Sequence, residues 1–171
     1  MKKLALFVLF AGAVGIGLLW RQTHPSLPTA VKELRSGVAL DMPVGWPAPE
    51  EDGSVITISA PANGGFPAKL SIHDKGKIRI EDLVQELRKG DGDLSKPVVE
   101  VKLQNGIMAR TWIFTEPMVE VSVDNRLYVF EAPNGRVYWA MLPLPPGWRE
   151  AKRYDAIFRG IVGSLKFKPA S

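Results

Sequence analysis

The chain begins with a run of seventeen uncharged residues, from Leu4 to Trp20, between Lys3 and Arg21. A helix of this length is about 25 Å long, which is just enough to cross the hydrocarbon core of a bilayer. No face of the run is polar, so it does not suit a core helix of a small water-soluble protein. The run therefore stands apart from the rest of the fold and predicts that the chain is exported or anchored in a membrane.

Two interpretations of this run stay open. A cleaved signal peptide has a basic start, an apolar stretch of about 7–15 residues and small residues before the cut. Ala13-Val14-Gly15 offers a weak cleavage site of this kind. The favoured interpretation is a retained signal anchor, because the apolar run resumes after that site and ends on Trp20, an aromatic residue typical of a membrane interface.

The basic residues at the start set the orientation. Lys2 and Lys3 stay on the cytoplasmic side, so the rest of the chain is delivered across the membrane. We therefore expect a single-pass protein of the inner (cytoplasmic) membrane, with its C-terminal domain outside the cytoplasm. Cleavage would instead give a secreted or periplasmic protein.

Composition excludes several classes of function. The 22 basic residues fall to 20 without Lys2 and Lys3, against 18 acidic ones, which leaves a net charge of +2 with both signs interspersed. A nucleic-acid-binding surface needs concentrated basic residues, so we expect no nucleic-acid partner. The chain has no cysteine, which excludes disulfides and a lipid attached through an N-terminal cysteine.

After the leader, residues 1–21, the sequence predicts a linker and one domain. Residues 22–33 contain two prolines without apolar periodicity, as is typical of a linker. Residues 34–168 remain for one compact domain. Its strand signals are short alternating or β-branched segments, which we assign to residues 37–42, 54–60, 68–73, 99–104, 107–115, 119–129, 136–142 and 165–168.

The connections between these segments predict hairpins. Asn105-Gly106 suits a two-residue turn that requires positive φ, and Asn134-Gly135 stands in the same position before a later strand. Asp124-Asn125 is either a bulge within one long strand or a tight turn.

Apolar residues at helical spacing predict helices over residues 80–89 and 151–164. The second of these helices would carry Lys152, Asp155 and Arg159 on its polar side. An antiparallel β-sheet flanked by α-helices, preceded by the N-terminal hydrophobic helix, makes an α+β fold.

Two segments carry a resemblance to a known family: DMPVGW at residues 41–46, and RYDAIFRGIVGSLKF at residues 153–167. Over residues 36–168 the chain resembles the Mog1/PsbP-like superfamily, and within it the DcrB-type domains of bacteria. The resemblance implies an antiparallel sheet flanked by helices and a binding or accessory role without catalysis. Members include a photosystem accessory protein, a small-GTPase-binding protein and chaperones for membrane segments of secreted effectors, so the resemblance does not select a partner.

Reactive side chains are scarce. The two histidines are His24 in the linker and His73 at a strand end beside Asp74, and a solvated side chain is the favoured interpretation of both. Motifs for a serine nucleophile or a phosphate loop are absent from the sequence. Two distant histidines do not suit zinc, and Asp91-Gly92-Asp93 lacks the further ligands of a calcium loop. We therefore expect no enzymatic activity, no cofactor and no metal.

Recognition through a surface remains. Trp46 and Trp148 lie in proline-rich loops, which present an aromatic side chain at little entropic cost because proline fixes φ. The alternative, which is favoured, is that each ring caps one end of the core. Trp46, Pro145 and Trp148 are accordingly the candidate residues of a partner-binding edge.

Two functions stay open. The first is a membrane-anchored extracytoplasmic binding or accessory domain, which recognises another envelope protein or an apolar segment. The second is a carrier of a small hydrophobic ligand between the sheet and a helix. A sheet–helix layer filled by Leu83, Leu87, Phe158 and Ile161 favours the first, whereas a continuous apolar cavity of about a few hundred Å³ favours the second.

Overall fold

The computed structural model of the chain describes residues 28–61, 68–90, 99–117, 122–144 and 150–168. These ranges contain ten strands and two helices. The strands are β1 Thr29–Glu33, β2 Val38–Pro43, β3 Glu50–Asp52, β4 Val55–Ser59, β5 Lys69–Asp74, β6 Val99–Lys102, β7 Met108–Pro117, β8 Ser122–Glu131, β9 Val137–Leu144 and β10 Lys166–Phe167; the helices are α1 Ile80–Gly90 and α2 Ala151–Gly163.

The strands form two antiparallel sheets. The larger sheet has seven strands in the order β3-β4-β5-β9-β8-β7-β6, and the smaller sheet has the order β1-β2-β10. The longest ladder joins β7 to β8, with Trp112 opposite Leu127 and Ile113 opposite Arg126. The expected antiparallel α+β architecture is therefore confirmed, although β2 belongs to a separate small sheet.

Alternation along the strands divides the core into two layers. On one face of the larger sheet, Leu83 and Val84 of α1 pack against a cluster that includes Trp112 and Val129. On the opposite face, α2 and the smaller sheet cover a larger cluster. This second cluster includes Leu40, Ile72, Phe130, Leu142 and Phe158. The larger sheet is thus sandwiched between two covering layers, as sheets with two apolar faces require.

Each helix buries one stripe of its surface. Helix α1 carries Glu81 and Asp82 in its first turn and Arg88 and Lys89 in its last, which complements the helix dipole. Helix α2 buries residues at spacings of three and four along its length, namely Tyr154, Phe158, Ile161 and Val162. Asp155, which the sequence places on the polar side of α2, is also buried.

Strand β1 lies within residues 22–33, which the sequence predicts to be a linker. It pairs with β2 from Thr29 opposite Pro43 to Glu33 opposite Ala39, so the folded chain begins nearer to the leader than residue 34. All five β1 side chains are exposed, which leaves no apolar alternation by which to recognise the strand. Strand β3 gives no strand signal in the sequence for a related reason, because it consists of three acidic residues.

Both Asn-Gly pairs lie in hairpin turns, but these turns are one residue longer than expected. The Leu103 N–H donates to the Ile107 carbonyl oxygen, and the Gly106 N–H donates to the Leu103 carbonyl oxygen. Only Gly106 has positive φ in this turn, whereas the two-residue turn predicted from the sequence also needs positive φ at Asn105. The turn around Gly135 has the same hydrogen-bond pattern.

Strand β8 continues through Asp124-Asn125 without a bulge or a turn. Asp124 lies opposite Thr115 of β7, and Asn125 lies opposite Phe114, in unbroken register. Pairing with β9 on the other side is also continuous. Two neighbouring ladders hold this strand extended, which the single sequence does not reveal.

The domain has two ends, which we define by the direction of α2. The tether end contains Pro28, Pro43 and the start of α2. The hairpin end contains the turns at Gly37 and Asn105. The Asn105 N–H donates to the carbonyl oxygen of Gly163, the last residue of α2, and the Gly37 carbonyl oxygen accepts from the N–H of Lys168, which follows β10. Since α2 has 13 residues, the two ends are about 20 Å apart.

The predicted N-terminal hydrophobic helix, at residues 4–20, lies outside the described residues, as does His24. Among the residues that the structure does describe, neither helix has the length and hydropathy needed to cross a bilayer. The interpretation of the leader as an anchor or a signal peptide therefore stays a prediction.

Candidate functional site

Trp46, the first of the three predicted binding residues, lies in the loop between β2 and β3. Its ring packs edge-on against Phe158 at 5.6 Å between centroids and tilts against Tyr154 at 6.2 Å. The side chain is half-buried and contacts the larger core cluster. Pro145 and Trp148 lie outside the described residues, so the partner-binding edge that they would form with Trp46 stays a prediction.

His73 lies on the α1 side of the larger sheet. Its imidazole stacks on Trp139 with centroids 3.9 Å apart and planes 7° from parallel. Burial lowers the pKa of His73 below its ordinary value, and the nearby charge of Lys75 lowers it further. The half-buried imidazole is therefore neutral at neutral pH, and its stacking on Trp139 gives it a packing role.

Metal ligands do not converge in the described ranges. No three histidine or acidic side chains in these ranges lie close enough together to hold an ion. The most connected carboxylate near His73 is that of Asp74, which accepts hydrogen bonds from the Arg136 guanidinium at 2.9–3.0 Å and from the Gly76 N–H at 2.8 Å. These contacts fix the end of β5 against the turn before β9.

The layers between helices and sheet are closely packed. Phe158 and Ile161 of α2 and Leu83 of α1 are almost fully buried, and Leu87 is half-buried against the smaller cluster. A groove of about 540 Å³ lies at the hairpin end, where the start of α1 borders β6, β7 and the turns at Asn105 and Pro133. Ile80, Ile107, Met108 and Pro133 contribute to its apolar lining, and Glu100 and Arg110 to its polar one.

Among the described residues, no element covers one strip on the α2-side face of the larger sheet. We define the β6–β7 strip as Val99, Thr111 and Ile113, which share this face because Val99 lies opposite Thr111 in the β6–β7 ladder. Val99 is 59% exposed and Ile113 is 51% exposed, while Thr111, which lies opposite Tyr128 of β8, is half-buried. Two apolar side chains this exposed, placed diagonally to one another across a strand pair, form a candidate contact surface.

A charged network separates this strip from α2. The Asp155 carboxylate forms an ion pair with the Arg126 Nε at 2.7 Å and accepts a hydrogen bond from the Arg159 guanidinium, also at 2.7 Å. Arg126 lies directly opposite Ile113 in the sheet. Burial raises the pKa of the adjacent Tyr128 hydroxyl. The charge of Arg159 lowers this pKa, whereas the charge of Asp155 raises it. Tyr128 therefore stays neutral, and the network fixes the position of α2 beside the strip.

The edge strand adds backbone hydrogen-bonding groups to this surface. Strand β6 is the last strand of the larger sheet and pairs only with β7 among the strands described. An edge strand presents one row of N–H and C=O groups that another segment can pair with. The strip and its edge can therefore combine apolar contact with backbone hydrogen bonding.

The sequence indicated the strands of this site but not its exposure. Val99 alternates with polar neighbours just as Val101 and Leu103 do, and this pattern predicts that all three face the core. Leu103 is buried and Val101 is half-buried, but Val99 is exposed because α2 does not extend over it. The order of the strands and the path of α2 determine this, and neither is a local property of the sequence.

Comparisons with known proteins agree on the fold. No family model and no curated protein matches the sequence. A protein from Bacteroides thetaiotaomicron VPI-5482 superposes with a TM-score of 0.53 and 12% identity, covering 77% of this chain and 45% of that protein, so the chain spans less than half of its length. PA94 from Pseudomonas aeruginosa, a protein of unknown function, superposes with a TM-score of 0.55 and 16% identity, covering 83% of this chain and 99% of PA94. The chain shares its overall fold with these two proteins.

Proposed function

We propose that the chain is a membrane-anchored extracytoplasmic binding domain, which recognises an apolar segment of another envelope protein and performs no catalysis. The anchor is the apolar leader, and the domain is of the Mog1/PsbP-like, DcrB type that its sequence resembles. The observation that carries the proposal is the β6–β7 strip, an exposed apolar surface on the open face and edge of the larger sheet. Such a surface suits a protein segment better than a small molecule, because it lies on an edge strand that offers backbone hydrogen-bonding groups.

The charged border of the strip limits what can bind there. The single negative charge of Asp155 balances only one of the two positive charges of Arg126 and Arg159. The Arg159 side chain is also more than half exposed. A segment that places apolar side chains on Val99 and Ile113 would bring its own polar groups next to Arg126 and Arg159. An acidic or neutral polar residue is tolerated at that point, whereas a lysine or arginine would be repelled.

Carriage of a small hydrophobic ligand is the second candidate function. It requires an apolar cavity between the sheet and a helix, and the packing of Leu83, Phe158 and Ile161 leaves these layers filled in the described part of the domain. The groove at the hairpin end is open and has Glu100 and Arg110 in its lining, which suits an apolar ligand less well. The packed layers therefore favour the binding domain.

Photocrosslinking from the strip tests the proposal. A photoreactive benzoyl-phenylalanine is introduced at Ile113 or, as a control, at Met108, in the full-length chain in intact membranes. The two positions lie on the same strand and are equally exposed, but face opposite sides of the sheet. We expect a discrete protein adduct from position 113 that is at least about tenfold stronger than from position 108.

A second substitution shows whether the contact is apolar. Val99→Lys places a charge on the strip next to position 113, so it should abolish the adduct from position 113, because an apolar segment would then bury an unpaired charge. Val99→Thr keeps the shape and should retain most of the adduct. Equal adducts from positions 108 and 113, or an adduct that survives Val99→Lys, would contradict the proposed site.

A further inference from the structure

The chain enters the domain beside an exposed apolar turn. The Val44 N–H donates to the Pro28 carbonyl oxygen over 2.8 Å, which ties the first described residue to the turn that follows β2. Val44 is 62% exposed, although it is a large apolar residue. Trp46, two residues later, packs its ring against Tyr154 and Phe158 of α2 and stays only half-buried. This turn therefore forms the tether end of the domain.

The connection between this turn and the apolar leader is short. Seven residues, 21–27, separate Trp20 from Pro28, and even fully extended they span at most about 25 Å. The linker is shorter than the sequence suggests, because β1 takes up residues 29–33. If the leader is an anchor, Val44 is held within this distance of the bilayer, and the hairpin end lies about 20 Å farther along the domain.

The composition of the turn suits contact with lipid. Residues 42–49 contain no charged side chain, so no charge has to be desolvated when the turn meets a bilayer. A tryptophan with one polar and one apolar side is typical of the membrane interface, and a valine can enter the acyl region. Proline at positions 43, 47 and 49 restricts the backbone, so little entropy is lost when the turn is fixed against a surface.

We propose that the turn formed by Val44, Gly45 and Trp46 rests on the lipid surface of the membrane that holds the leader. This contact orients the domain with its tether end on the bilayer and its hairpin end away from it. The inference depends on the anchor of the proposed function, and adds to it which part of the domain touches lipid. The β6–β7 strip, on the face of the larger sheet, then stands beside the membrane instead of against it.

The absence of cysteine makes a labelling test direct. Single cysteines replace Val44, Val31 or Met108, which are 62%, 58% and 53% exposed, and each carries an environment-sensitive NBD fluorophore. Val31 lies in the middle of β1, and Met108 lies at the hairpin end. The full-length chain is reconstituted in vesicles of phosphatidylcholine and phosphatidylglycerol that contain no other protein. A lipid with a nitroxide on its acyl chain serves as the quencher.

We expect strong quenching of the label at position 44, weaker quenching at position 31 and none at position 108. A blue shift of the emission should follow the same order, since water is excluded around the buried label. Flotation of the same vesicles shows separately whether the chain is anchored. Vesicles that carry the chain but quench positions 44 and 108 equally would overturn the inference and leave the anchor intact. A chain that fails to float with the vesicles would overturn both.

Discussion

Replacing Phe158 with alanine is expected to lower the free energy of unfolding by about 3–5 kcal/mol. Phe158 of α2 is only 1% exposed and packs into the core cluster and against the ring of Trp46, so its removal leaves a cavity that several elements border. Urea titration of the detergent-solubilised full-length chain, followed by tryptophan fluorescence, measures the change. The emission of Trp46 should also shift, because its ring loses an edge contact.

The neighbouring residue provides a matched control. Ile157 belongs to the same turn of α2 but is only partly buried against the cluster. Ile157→Ala should therefore cost about 1 kcal/mol, since less apolar area becomes exposed to water. Equal costs for the two substitutions would show that α2 does not pack through the stripe that contains Phe158.

Replacing Asp155 with alanine is expected to cost about 2 kcal/mol of stability. Its buried carboxylate holds the guanidinium groups of Arg126 and Arg159, and its loss leaves Arg126 partly buried beside α2 without a counter-charge. Loss of one partner from a fully buried pair costs about 3–5 kcal/mol, and the exposure of both arginines to solvent reduces this figure. Urea titration measures this effect as well.

The control for this prediction is Arg159→Ala. Arg159 makes the more exposed of the two contacts with Asp155, so its loss should cost less than about 1 kcal/mol. If Arg159→Ala costs as much as Asp155→Ala, the carboxylate does not join α2 to the sheet in the way described. Asp155→Ala should also weaken the photocrosslink from position 113, because α2 borders the strip.

Local sequence patterns predicted the helices and strands that are determined by residues close together in the chain. The apolar stripe of α1 and its charged ends lie within eleven residues, and the structure has a helix there from Ile80 to Gly90. Strand β5 buries Leu70 and Ile72 and turns Lys69, Ser71 and His73 to the other face, as the alternation in its sequence predicts. The glycines of the two Asn-Gly pairs adopt the positive φ that only glycine takes readily, which explains why hairpins formed where expected.

Features that depend on distant parts of the chain were not predictable. Strand β2 pairs with β10, with Ala39 opposite Lys166, and no local signal shows that β2 leaves the larger sheet. Strand β1 is recognisable only through its partner, because its own side chains are all exposed. The burial of Asp155 depends on Arg126 in another element, so helical spacing alone placed it on the polar face.

The candidate site illustrates the same limit. The sequence correctly indicated the strands that carry Val99 and Ile113, yet their exposure depends on how far α2 extends across the sheet. The predicted partner-binding edge depended on aromatic residues in proline-rich loops, of which Trp46 contacts the core through Phe158. Pro145 and Trp148 stay untested as members of that edge, since they lie outside the described residues.

Protease accessibility of the full-length chain in bacterial spheroplasts tests most directly that this is an anchored domain outside the cytoplasm. We predict that the chain sediments with the membrane fraction and resists extraction by alkaline carbonate. Protease added outside the spheroplasts should then remove the domain, while a cytoplasmic marker stays intact. Recovery of the full-length chain in the soluble cytoplasmic fraction, or its protection from external protease until the membrane is opened, would contradict the account.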